Sequence, residues 1–191
     1  MQGRLLPRRA HRARLVRNLF LAAASLVVAG AAQARTESEE GVKRVELNVH
    51  GRITEHCALG QIDDMQFGDI TRPNLSRSAR IELSCNVPFQ VKIQAANGGL
   101  ANEQYPAGQG PYAGTLPYTL DISIPVLKPQ SAVVRQSFTS RELVGGPAIT
   151  SGGGIALDGM RLNIALGTPS SSAGLLAGNY AETIVITVAP S

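Results

Sequence analysis

Residues 43–54 read KRVELNVHGRIT, and their apolar side chains recur at every second position. Val45, Leu47, Val49 and Ile53 fall on one side of an extended chain, and Arg44, Glu46, Asn48, His50, Arg52 and Thr54 fall on the other. Successive Cβ atoms of a strand point to opposite faces, so a period of two marks a strand that buries one face. A helical stripe would recur at roughly every third and fourth residue instead.

The same period runs on toward the C-terminus. Ile81, Leu83 and Cys85 alternate with polar neighbours, and beyond Pro88 the run Phe89, Val91, Ile93 alternates with Gln90, Lys92 and Gln94. Leu116, Tyr118, Leu120, Ile122 and Ile124 form a further strand, which Pro125 is expected to end or to mark as a sheet edge. Residues 133–138 are a weaker candidate, 157–166 place Met160, Leu162, Ile164 and Leu166 in phase, and 180–188 place Tyr180, Ile184, Ile186 and Val188 in phase. The segments 102–114, 145–154 and 168–178 are rich in Gly, Pro, Ser and Asn and read as loops. No helical stripe of about ten residues stands out after the N-terminal region. The pattern predicts an all-β domain of about seven short strands, an immunoglobulin-type sandwich, with a small closed barrel as the other architecture it allows.

N-terminal to residue 43 the character changes. Arg4, Arg8, Arg9, Arg12, Arg14 and Arg17 precede an apolar run over 19–32 that ends in Ala32-Gln33-Ala34, the three parts of a secretory signal peptide. A run of about 14 apolar residues is short of the roughly 20 that a spanning helix needs. The residues around Arg8-Arg9 do not supply the apolar follow-on of a twin-arginine signal, so general secretion is expected, with cleavage after Ala34.

Removing residues 1–34 takes six of the eighteen Lys and Arg and none of the fourteen Asp and Glu, which leaves twelve against fourteen and turns +4 into −2. The basic balance of the full sequence therefore belongs to the export signal, and it does not imply nucleic acid or an anionic membrane as a partner. The other 157 residues suit one domain. The two cysteines, Cys57 and Cys85, would reach an oxidising compartment and are predicted to pair. Closing a loop of about 29 residues should stabilise by roughly 3 to 4 kcal/mol.

Catalytic chemistry finds little support. There is no Gly-x-Ser-x-Gly elbow, and Asp63-Asp64 in an extended segment would point to opposite faces. Ser151-Gly152-Gly153-Gly154 lacks the Lys of a phosphate cradle. His50 and His56 beside Cys57 show no metal-ligand spacing. The reading is of no catalytic residue, no metal and no cofactor; a periplasmic enzyme or metal chaperone would have only His50 and His56 to act with.

The ends of the chain say more. The strand expected over 180–189 is followed only by Pro190-Ser191, so no later strand is expected to pair with it. Residues 35–41 are charged and lead directly into the 43–54 pattern. A sandwich short of its last strand would expose an apolar groove and a free edge, and an alternating strand from another subunit has the shape to fill it.

The chain here resembles the spore coat protein U family, which includes the subunits of archaic chaperone-usher pili. The resemblance covers most of the exported part. It rests on Val45-Glu-Leu-Asn-Val49 before Cys57, Met65-Gln-Phe-Gly68, Ile81-Glu-Leu-Ser-Cys85, Pro88-Phe89-Gln-Val91, Leu116-Pro-Tyr118 and, above all, the ending Ala177-Gly-Asn-Tyr180-Ala-Glu-Thr-Ile-Val-Ile-Thr-Val188. The tryptophan-glycine motif that major pilins often carry is absent, since the chain has no Trp. The resemblance implies a signal peptide over 1–34, an N-terminal extension with the donor strand over 35–54, and a spore coat protein U-like pilin domain over 55–191. It implies an incomplete immunoglobulin-like sandwich completed by a donor strand, with Val45, Leu47, Val49 and Ile53 as plugs and Tyr180, Ile184, Ile186 and Val188 on the acceptor edge. Cys57 and Cys85 would pin the first strand to the second. The implied role is a structural subunit of a surface fimbria supporting adhesion or biofilm formation, and not an enzyme. The implied partners are neighbouring subunits in a homo- or hetero-polymer, a periplasmic chaperone and an outer-membrane usher, with the periplasm as transit and the cell surface as destination. The competing reading is a self-complemented monomer, with 45–53 folded into its own groove, serving as an envelope or spore-coat protein.

Overall fold

A computed structural model describes residues 43–191; the expected signal peptide over 1–34, with 35–42 of the extension, lies outside the described residues. The chain divides into two units, Met1–Val49 and His50–Ser191. Of the first unit only 43–49 are described, and none of them lies in a strand.

The second unit is all-β, and every ladder in it is antiparallel. β1 (Cys57–Leu59) pairs with β3 (Leu83–Cys85). A four-stranded sheet runs in the order β2 (Ser76–Ile81), β10 (Met160–Leu166), β7 (Tyr118–Leu127), β8 (Ser131–Thr139). A three-stranded sheet runs β12 (Ile184–Pro190), β4 (Phe89–Ala95), β9 (Ala148–Thr150), and another runs β11 (Tyr180–Ala181), β5 (Leu100–Asn102), β6 (Thr115–Leu116).

Alternation decides which face is buried. In β4, Phe89, Val91, Ile93 and Ala95 are buried while Gln90, Lys92 and Gln94 are exposed. In β7, Tyr118, Leu120, Ile122, Ile124 and Val126 turn inward. These two rows meet Ile81, Leu83, Met160 and Leu143 in one cluster, so the inner faces of the four-stranded sheet and of the β12-β4-β9 sheet share a core. Each such side chain contributes about 1.5 to 3 kcal/mol when fully buried. The predicted bridge between Cys57 and Cys85 is present, and it joins directly opposed residues of β1 and β3.

Four expectations are modified. The 43–54 pattern forms no strand, and neither does 55–56; alternation specifies a face to bury, but a strand also needs a ladder partner. β7 runs through Pro125, although β7 lies between β10 and β8. Pro125 is paired with Val133 of β8, while the β10 ladder stops at Ser123. Odd-numbered residues of β7 bond toward β10, as Gly167 N–H to Pro117 O shows. The missing N–H of Pro125 therefore falls just past the end of that ladder, where no bond is lost. The expected loop 145–154 contains β9. Finally, a helix α1 (Ser140–Val144) follows β8. Thr139 Oγ1 accepts the Glu142 N–H and the Glu142 carboxylate accepts the Thr139 N–H, a capping box that the Thr-x-x-Glu spacing encodes.

Candidate functional site: an open strand edge

β12 reads Ile-Val-Ile-Thr-Val-Ala-Pro and, among the described residues, pairs with β4 alone. Its register sets which backbone groups are used. Ala96 N–H donates to Thr183 O and Ser191 N–H to Pro88 O, each between directly opposed residues. In an antiparallel ladder such bonded pairs alternate with unbonded ones. The odd-numbered residues from 183 to 191 therefore face β4, and Ile184, Ile186 and Val188 turn their N–H and C=O groups to the open side.

The side chains of the same three residues point toward the core without being covered. Val91 and Ile93 of β4 are 0% exposed, whereas Ile184, Ile186 and Val188 remain half-buried. β1 comes within 8 Å of β12, Cα to Cα, without entering its ladder. At the Ile184 end a groove of about 450 Å³ is lined by Met65, Phe67, Leu120, Leu162 and Ile164. Tyr118 also lines it, with its hydroxyl buried and without a protein partner among the described residues. Burial, with the Glu182 charge nearby as a smaller cause, pushes the Tyr118 phenol well above its ordinary range, so it stays protonated.

Other edges are protected. Residues 61–66 run along β2 and share a shallow cavity with 77–80, with Arg77 Nε donating to Gln66 O at 3.1 Å. β8 carries Arg135, Gln136 and Ser137 in succession, and charge on an edge deters pairing. β9 is three residues long. β12 has none of these devices, and its outer-face Val185 is 55% exposed.

The lead-in to β12 is fixed by the residues of the Ala-Gly-Asn-Tyr motif. Gly178 has φ 146°, and a Cβ there would stand 2.6 Å from Asn102 Nδ2, so only glycine fits. The Tyr180 hydroxyl donates to Leu176 O at 2.7 Å, with Ala113 O at 3.2 Å as second acceptor. Glu182 then separates β11 from β12. Its carboxylate accepts N–H bonds from Ala96, Asn97, Gly99 and Thr183. Glu182→Ala would orphan several of these donors and is expected to lower unfolding free energy by about 2 kcal/mol in urea melts, with Glu182→Gln intermediate.

The break at Glu182 modifies the expected acceptor edge. Tyr180 pairs with Asn102 of β5, in a different sheet from Ile184, Ile186 and Val188. A period-two count carries through a break that keeps phase, so sequence alone could not see it. The expected donor residues Val45, Leu47, Val49 and Ile53 are 90%, 83%, 84% and 88% exposed. Just after them Asn86 Nδ2 donates to Thr54 O and Asn86 Oδ1 accepts the His56 N–H, which tethers the approach to β1. His50 and His56 are exposed, and no group of three His, Cys, Asp or Glu among the described residues is placed to hold a metal.

Comparison with protein-family models finds no match to the chain, and comparison with curated proteins finds none either.

Proposed function

We propose that this protein is a structural subunit, not an enzyme, that polymerises by donor-strand exchange: residues 45–53 of one copy complete the open edge of β12 in the next. The observation that carries the reading is the combination of an apolar, half-covered, unprotected edge with a separate alternating segment whose four apolar side chains are 83% to 90% exposed. Each solves the other's problem. The edge offers the backbone groups of Ile184, Ile186 and Val188, and the segment offers a ladder partner with Val45, Leu47, Val49 and Ile53 as plugs.

The strand order supports an incomplete immunoglobulin-like fold. Such folds set A-B-E-D in one sheet and C-F-G in the other. β1, β3 with β2, β10 and β7 take the first order, and β4 with β12 take C and F. The place of G, beside β12, is the open edge. Tyr180, bonding to a carbonyl four residues upstream, has the form of a tyrosine corner before strand F. These features, with the ending motif, support membership of the spore coat protein U family and assembly through a periplasmic chaperone and an outer-membrane usher into a surface fimbria serving adhesion or biofilm formation.

Electrophoresis of surface-sheared material with and without boiling tests the reading. The intact chain, made with its native partners, is expected to give a ladder of SDS-resistant oligomers. Deleting residues 43–53 while export persists should remove the ladder. An intact chain that ran only as a monomer would point to self-complementation and an envelope or spore-coat role.

A further inference from the structure

The side chains that alternate with the core-facing ones on β2, β10, β7 and β8 form the outer face of the four-stranded sheet. Register aligns them in rows. Arg80 lies opposite Arg161, Arg161 opposite Ser123, and Ser123 opposite Arg135. The next row is Ser78, Asn163, Asp121 and Ser137. Within it Ser78 Oγ donates to Asn163 Oδ1 at 2.9 Å, and Asn163 Nδ2 donates to Asp121 Oδ2 at 3.4 Å. The two rows line a concave space of about 830 Å³.

Arg80 and Arg161 are like charges directly opposed, which destabilises a ladder, and Arg135 stands in the same row one strand further on, beyond Ser123. Arg80 is paired with Asp158. Among the described residues Arg161 and Arg135 have no carboxylate within 4.0 Å, although both are exposed on paired strands. Guarding the β8 edge accounts for Arg135 alone, and the fold gains nothing from aligning it with Arg161 and Arg80. A guanidinium matches a carboxylate with two parallel hydrogen bonds, which makes an array of free ones a receptor for repeated carboxylates. Arg161 and Arg135 are two strands apart, about 9 to 10 Å between backbones, which fits charges repeated along a stiff chain and not one small anion. The adjoining row offers two hydroxyls, one amide and the Asp121 carboxylate, which already accepts from Asn163, as partners for sugar hydroxyls. No aromatic ring lines the space, so it lacks the stacking platform that bases require.

We propose that this face binds an acidic polysaccharide, with uronate carboxylates on Arg161 and Arg135 and ring hydroxyls on the Ser78, Asn163 and Ser137 row. The proposal stands on the sheet face alone and is independent of how subunits join.

Titration of the purified protein with polygalacturonate, a uronic-acid polymer, against neutral dextran is the test. Binding should weaken as salt rises and be absent for dextran. The double variant Arg135→Ser, Arg161→Ser should bind at least about tenfold more weakly, with a melting temperature unchanged or raised because repulsion is relieved. Equal binding by the double variant, or equal binding of dextran, overturns the proposal. A lowered melting temperature with the loss would assign the arginines to the fold instead, and retention on anionic lipid vesicles but not on polygalacturonate would assign the face to a membrane surface.

Discussion

Replacing Leu47 and Val49 together by aspartate is expected to abolish SDS-resistant oligomers while leaving the thermal melt of the folded unit within error of the parent. The two halves of this result have separate physical origins. Both side chains are more than four-fifths exposed, and substitutions at such positions usually change stability by no more than about 0.5 kcal/mol. In the joint the same residues would be buried against the half-covered face of β12. Each plug then contributes about 1.5 to 3 kcal/mol, and a carboxylate carried into that groove adds a desolvation penalty of several kcal/mol. Two lost plugs alone amount to roughly 3 to 6 kcal/mol, two to four powers of ten in the joint's equilibrium constant. The complementary change, Ile186→Asp on the acceptor, should also stop assembly, but it should lower the melt as well because Ile186 already packs on the core. Persistence of the oligomer ladder in the Leu47, Val49 double variant would remove residues 45–53 from the joint.

Much of this architecture is legible from spacing because burial here depends on one variable, the parity of a residue within its strand. Phe89, Val91 and Ile93 needed no tertiary information to be placed inward, and the structure buries each of them completely. The disulfide followed from a count of two cysteines and an export signal. Helix α1 escaped although its Thr139–Glu142 capping box is local, and most of what else escaped depends on partners distant in sequence. β9 is three residues among turn-formers and is a strand only because Lys92, Val91 and Gln90 present an edge to it. Pro125 is tolerated because β10 stops short of it. The 43–54 segment shows the converse, since its alternation alone does not make it a strand without a ladder partner. The arginine row is the plainest case. Arg80, Arg135 and Arg161 are scattered through the chain, and only two ladders in a fixed register bring them into line.

Removing the disulfide, as Cys57→Ala with Cys85→Ala, is expected to cost about 3 to 4 kcal/mol, because the two residues lie 28 apart in sequence and the crosslink denies the unfolded chain that loop's freedom. At roughly 2 to 4 °C per kcal/mol for a unit of this size, the melting temperature should fall by about 10 °C. Location sharpens the expectation. β1 is only three residues long and its ladder is with β3 alone, so without the bridge little beyond the Asn86 tether and the packing of Leu59 holds it. β1 also comes within 8 Å of β12, Cα to Cα. Its release would loosen an element packed beside β12, so assembly should fall by more than the stability loss predicts from a uniformly weakened fold. Thiol reagent on the parent should reproduce the melt of the double variant once the bridge is reduced. A shift below about 1 kcal/mol in denaturant melts would mean that the β1 to β3 ladder and Asn86 hold the first strand unaided, and the bridge would then matter to the approach of the extension and not to the fold.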